Sequence, residues 1–386
     1  MVKSTQGRRS YIPLRGTAAA ISLLLAVWYS RDLGIVNRSY LAVIMVTCSL
    51  CVITFTSGTT FTLRAQKSHH LPRYLRTSFS ACIILELLLS FSFFLVSLMA
   101  FSAVKEKLPV NLIVIASIYF ICAFFHNTFM EYLLSLDRFS SASKLELSTV
   151  LLQVVSFFLM SEFFPLSIAS SVLLSFAASY LSILIYIVST TPVREFFGFS
   201  NPRVFWVLTS GNHLLGTVLG ALDRMDRVLI AFFLPTVNLG QYAAMGSLLS
   251  YFRFLPEALS KVIVSGPINR QFRLLKNKYI TGISLVFFLS FVILFSRLFI
   301  EIALGSEWLL SIWVYVSFAI YEIARGAFQV LYNRNLSQHL VPSYRILVNL
   351  IFVCLIFSMF AVMTFGLIGI PLGFGLGYLI SLKALK

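Results

Sequence analysis

The chain is a succession of apolar runs, each about as long as the hydrocarbon of a bilayer is thick. That repetition constrains the fold more than any other feature. Residues 39–63, 78–104, 110–130, 167–189, 281–299 and 346–365 are the clearest runs. Each approaches or exceeds the roughly 20 residues that a helix needs to cross about 30 Å of lipid tails. The runs are solid rather than alternating, which excludes a β-barrel. Composition agrees, since 59% of the 386 residues are hydrophobic and only 11% are charged. A soluble domain has about 45–50% and about 25%. An all-α polytopic membrane protein is expected.

Twelve spans are expected, at about 14–30, 39–63, 77–104, 109–130, 145–164, 167–189, 205–234, 240–263, 280–303, 309–333, 342–365 and 367–383. The first is short, and the eighth is interrupted by Arg253, Pro256, Glu257 and Lys261, so ten or eleven spans also fit. The longest polar stretches, 64–76, 190–203 and 264–279, are too small for a folded soluble domain. The stretch TTPVREFFGFSNPR at 190–203 contains two prolines and a charge cluster. It divides the chain into an N-terminal six-helix lobe (1–190), a cytoplasmic linker (191–203) and a C-terminal six-helix lobe (204–386). Six spans per half make the halves parallel repeats, an arrangement known among transporters.

The formal charge of +16 reports orientation rather than a nucleic-acid partner. With the N-terminus inside, 20 of the 30 Lys and Arg fall on cytoplasmic segments, 5 on outward segments, Arg31 and Arg38 among them, and 5 within spans. That asymmetry follows the positive-inside rule and puts both termini in the cytoplasm. The N-terminus has no A-x-A-like cleavage site and reads as an uncleaved first span. Trp28, Trp206, Trp308 and Trp313 sit near span ends, where headgroup-level rings are favoured. The five cysteines lie in apolar runs and read as small packing residues; Cys48 and Cys51 have metal-like spacing but no companion pair.

Charges inside spans are costly, so they face a cavity or a partner. Asp223, Arg224, Asp226 and Arg227 precede seven apolar residues that end at Pro235. Those seven need burial, which places the charges within span seven. Asp223 and Arg227 have the i,i+4 order that favours a helix pair; the alternative is an arginine free to grip an anionic substrate. Arg253, Glu257 and Lys261 form one stripe on span eight, which is either functional or the cytoplasmic end of a helix that stops early. Glu322, Arg325 and Gln329 share a face of span ten, either as a buried ion pair or as a site. Glu86 stands alone in span three, a proton or cation site or a satisfied hydrogen-bonding group. No G-x-x-x-x-G-K-[ST] motif occurs, and the outward loops are only a few residues long, which argues against an ATP-driven pump and against enzyme chemistry.

Asp226-Arg227-Val228-Leu229-Ile230-Ala231, followed by Val237-Asn238-Leu239-Gly240-Gln241-Tyr242-Ala243-Ala244, resembles the central signature of the polysaccharide flippases. These are the O-antigen (Wzx-like), teichoic and capsular exporters of the multidrug/oligosaccharidyl-lipid/polysaccharide (MOP) superfamily. Arg31-Asp32-Leu33-Gly34, Gly58…Leu63-Arg64, Gly305-x2-Trp308, Asn349 and Gly366-x2-Gly369 are similar to further marks of that family in the same order. The chain departs from the pattern at Ile35–Tyr40 and carries Asp223-Arg224 in addition.

The resemblance implies two six-helix lobes around a central cavity, a MATE/MOP-like architecture. It implies that an undecaprenyl-pyrophosphate-linked oligosaccharide, the repeat unit of an O-antigen, capsule or exopolysaccharide, is flipped across a bacterial inner membrane by alternating access. Arg31, Arg224, Arg227, Arg253 and Arg325 are the expected phosphate contacts. Glu86, Asp223, Asp226, Glu257 and Glu322 are the candidates for H+ or Na+ coupling. No cofactor or metal is expected. The implied partners are the lipid-linked substrate, membrane lipids, a polysaccharide polymerase and a chain-length regulator, with no nucleic acid. The alternatives are a cation-coupled multidrug exporter on the same fold, which a basic cavity disfavours, and an integral membrane polymerase or acyltransferase.

Overall fold

A computed structural model describes residues 2–66, 73–104, 108–135, 138–163, 166–190, 220, 222, 224–247, 293, 295–337 and 344–384. No strand occurs among them. Helix α1 (Val2–Gln66) is interrupted at Gly34, whose φ of 68° and ψ of 171° are not helical. Its apolar part, Pro13–Thr56, has 44 residues, about 66 Å as a single rod and twice the thickness of the lipid core. The break therefore separates two crossings, and glycine supplies the left-handed backbone that an L side chain resists.

Helices α2 (Arg73–Val104), α3 (Val110–Ser135), α4 (Phe139–Phe163) and α5 (Ile168–Thr190) follow. Then come α6 (224–233), a bend at Leu234 and Pro235, α7 (236–247) and α8 (295–304). A 3-10 turn (Ser306–Trp308) leads to α9 (Ile312–Ser337) and α10 (Tyr344–Phe365), and a second (Gly366–Ile368) leads to α11 (Gly369–Ala384). With α1 taken as two segments, each of the twelve expected spans holds helix among the described residues. Among the described residues six stretches are long and apolar enough to cross a membrane, the last running through Asn349–Ser381. Helix α9 has the length, at 26 residues, but carries Glu322 and Arg325 in its middle.

The chain divides into two compact units. Unit 1 comprises Met1–Leu25 and Tyr40–Val228, and unit 2 comprises Ala26–Ser39 and Leu229–Lys386. This division differs from the one expected at 191–203. The start of α6 groups with unit 1 because Gly220 packs on Ile53 and Arg224 reaches Ser49. Residues 26–39 group with unit 2 because Ile35 packs on Gly240 and Arg38 reaches Ser247.

In unit 1, α5 packs against α3 and α4 through a face of small residues that includes the buried Ser171, Ser175, Ala177 and Ser179. Ser175 and Ser179 donate to carbonyls of their own helix, at Val172 and Phe176. Their hydroxyls are thus satisfied while the backbones approach, as small residues allow in membranes. Rings fill the remaining space: Phe94 of α2 stacks on Phe120 of α3 at 4.6 Å, and Tyr119 of α3 meets Tyr180 of α5 at 6.2 Å.

In unit 2, α11 packs against α9 and α10. Gly369, Gly373 and Gly377 recur every four residues and face the backbone of α10. A Cβ at Gly373 would lie 2.5 Å from the Cα of Ser358, too close for any side chain. Outward faces carry exposed Phe352, Phe360 and Met363 on α10 and Met99 on α2, which suits lipid rather than water.

Candidate functional site

Helix α6 arranges its charges by periodicity. Leu222, Asp226, Leu229 and Ile230 form its buried stripe, and Arg224 and Arg227 flank it at partial exposure. Arg224 donates from Nε to Ser49 Oγ at 2.9 Å, on the second segment of α1. Ser49 donates in turn to the carbonyl of Val46. The Nε of Arg227 is buried and meets no hydrogen-bond acceptor among the described residues. Two arginines one turn apart, one of them oriented by a serine hydroxyl on the facing segment, suit an oxyanion with several lone pairs. Asp223 lies outside the described residues, so the expected Asp223–Arg227 pair is not seen.

Arg325 and Glu322 are placed differently. Arg325 is 1% exposed and lies 3.6 Å from Glu322, inside the aromatic core of unit 2. Tyr321 sits beneath its guanidinium and contacts Phe374 and Tyr378, while Phe318 contacts Tyr242 of α7.

Glu86 is 2% exposed. It falls on the inner stripe of α2 with Cys82, Ser90, Phe94 and Leu98, all fully buried. His126 of α3 stacks on Tyr180 at 4.4 Å and lies 3.4 Å from Thr149 Oγ1. Arg31 is exposed on the segment that joins unit 2. Arg253, Glu257 and Lys261 lie outside the described residues, as does Trp206. The structure thus brings Arg224, Asp226 and Arg227 together on α6, pairs Arg325 with Glu322, and leaves Glu86 in unit 1 on α2. All five cysteines are free and buried. Among the described residues no cluster of His, Cys, Asp or Glu has the makings of a metal site.

Arg38, expected on an outward segment, is only 3% exposed. Its Nη2 donates to Ser247 Oγ at 3.0 Å, and its guanidinium lies 4.8 Å from the Tyr29 ring centroid. A straight helix would separate these two residues by about 13 Å of axial rise, so the break at Gly34 brings them together. The signal available in the sequence was Gly34 itself, since a helix restarting at Ile35 includes Arg38 in its first turn. Trp308, at the end of α8 as the sequence suggests, is 2% exposed and packs inward against the protein. Gly305, at φ 106°, ends α8 and turns the chain so that Trp308 can do so.

No protein-family model matches the sequence, and no curated protein matches it. Solved structures do match. The lipid II flippase MurJ, in its inward closed conformation, superposes with a TM-score of 0.69 at 14% identity, over 96% of this chain and 86% of that one. The eukaryotic MATE transporter AtDTX14 superposes at 0.63 and 12% identity, over 100% and 95%. An inward-facing multidrug resistance MATE family transporter of the MOP superfamily superposes at 0.63 and 13%, over 98% and 95%. The chain therefore has the fold of the MOP and MATE transporters, as expected from the sequence.

Proposed function

We propose that this chain is a MOP-type flippase that moves an isoprenoid-pyrophosphate-linked oligosaccharide from the inner to the outer leaflet of a bacterial cell membrane by alternating access. The observation that carries the reading is the arginine pair on α6. Arg224 is oriented by Ser49, and Arg227 keeps a buried Nε without an acceptor among the described residues. The pyrophosphate is the part of such a substrate that lipid tails reject most strongly. Guanidinium groups offset its desolvation and grip it with paired hydrogen bonds. The likeness to a lipid II flippase supports a lipid-linked cargo. A cationic drug would meet repulsion at the same place. Coupling to H+ or Na+ would use Glu86 or Asp226, the described acids buried on α2 and α6. A polymerase and a chain-length regulator would act downstream, and the protein itself would make or break no covalent bond.

The test is the leaflet accessibility of the lipid-linked glycan in cells or proteoliposomes carrying Arg224→Ala, Arg227→Ala and the double variant. Loss of translocation with normal folding and normal synthesis of the glycan is expected. Unchanged translocation in the double variant sinks the assignment.

A further inference from the structure

Among the described residues unit 2 buries two guanidinium groups and treats them differently. Arg325 has Glu322 beside it at 3.6 Å. Arg38 is equally out of water, yet among the described residues it has a serine hydroxyl, an aromatic face and no carboxylate. Its Nε is buried without a hydrogen-bond acceptor among the described residues. Ser247 cannot neutralise it, because that hydroxyl accepts from Arg38 while donating to the carbonyl of Ala243. An uncompensated buried cation is among the most costly features a protein can hold, so the local arrangement implies an anion.

We infer that Arg38, its guanidinium oriented by Tyr29 and Ser247, forms a phosphate-binding subsite within unit 2. This rests on the proposed flippase reading and adds to the arginines of α6. Three features fit a phosphate oxyanion. The guanidinium fork matches two phosphate oxygens at once. The Tyr29 ring fixes the plane of that fork from one side. Arg38 also lies in the first turn of the helix that restarts after Gly34, where the positive end of the helix dipole favours negative charge. The phosphate is that of the isoprenoid pyrophosphate or that of an anionic lipid headgroup, and the two sources are separable.

The experiment uses the full chain in nanodiscs of phosphatidylcholine, with or without phosphatidylglycerol, and farnesyl pyrophosphate as the probe. Arg38→Met keeps the apolar stem while removing the charge, and Arg297→Met, an exposed arginine of the same unit, is the control. Loss of a charge-assisted pair weakens binding by about ten- to a hundredfold. That loss is expected for Arg38→Met, with partial retention in Arg38→Lys and none lost in the control. Without probe, Arg38→Met should melt no lower than the parent, since a burdened cation has been removed. A loss confined to stabilisation by phosphatidylglycerol also supports the subsite and assigns it to a lipid headgroup. Binding of both phosphates at parental affinity overturns the inference. So does a lower melting temperature of Arg38→Met without probe, which would mark a purely structural cation. A parent that binds neither phosphate overturns both this and the flippase reading. Arg224→Ala/Arg227→Ala binding normally while Arg38→Met does not would sink the α6 assignment alone.

Discussion

Replacing Gly373 by alanine isolates the close packing of α11 on α10. The new Cβ would stand 2.5 Å from the Cα and N of Ser358 and 2.7 Å from the carbonyl carbon of Phe357. All three are backbone atoms of α10, so no side chain can swing away. Ordinary carbon contacts need about 3.5–4.0 Å, and the helices must part by roughly 1 Å, which forfeits a quarter to a half of the dispersion energy along the seam. Overpacking of this kind costs about 1–3 kcal/mol, against which alanine returns up to about 1 kcal/mol of helix propensity. Gly375, two residues on, is the matched comparison. A Cβ there would sit 3.3 Å from Tyr321 Cα and 3.4 Å from its N on α9, a contact relieved by a few tenths of an ångström. Gly375→Ala is therefore expected within about 0.5 kcal/mol of the parent, the strain and the propensity gain nearly cancelling. The assay is thermal unfolding in detergent followed with a thiol-reactive dye, because all five cysteines are buried in the folded chain. Cys354 lies on the seam itself, against Gly377. A net loss of about 1–2 kcal/mol, at about 2–4 °C per kcal/mol for a domain of 150–250 residues, should lower the melting temperature of Gly373→Ala by about 2–8 °C. Equal melting temperatures for the two variants would refute the account of the seam.

Two further perturbations test the charge and turn assignments. Glu322→Gln leaves Arg325 buried without its carboxylate and should cost about 3–5 kcal/mol, whereas Glu322→Leu/Arg325→Met removes both charges and should recover most of that loss; the same melting assay reads both, and equal losses would show that Arg325 is not held by Glu322. Gly34→Ala meets no atom within 4 Å and should cost only the penalty of its glycine-favouring backbone at φ 68°, ψ 171°, about 1–3 kcal/mol, while Gly240→Ala collides with the carbonyl of Ile35 and should cost more than Gly34→Ala, an order that reverses if that approach is looser.

Which parts of this molecule the sequence could specify depends on the range of the physics involved. Span positions are local, because twenty apolar residues need lipid wherever they occur, and helix is found in all twelve. The end of span seven was legible for the same reason: the apolar run to Pro235 required Asp226 and Arg227 to be helical, and α6 contains both. Unit membership is not local. Residues 26–39 belong with unit 2 through Ile35 against Gly240 and Arg38 on Ser247, pairings between distant parts of the chain that hydropathy does not encode. Arg38 was lost because a window of apolar residues begins at Ser39, and a charged residue at a window's edge reads as loop. The glycine seam was available but unread, since Gly369, Gly373 and Gly377 show the four-residue spacing that brings membrane helices together.

Charge placement carries the functional argument further than the fold does. The chain has 14 acidic residues for 30 Lys and Arg, so acids are scarce and their positions matter. Glu146 meets Arg15 at 3.2 Å in unit 1, and Glu322 meets Arg325 in unit 2. Were Arg38 held only for stability, a methionine of similar volume would serve better, because a well-packed apolar residue matches or exceeds a buried charge in stability. The same holds for the Arg227 Nε on α6. Both positions retain a guanidinium Nε that is buried without an acceptor among the described residues, and under the proposed reading the phosphates of the substrate are the anion whose desolvation such groups offset.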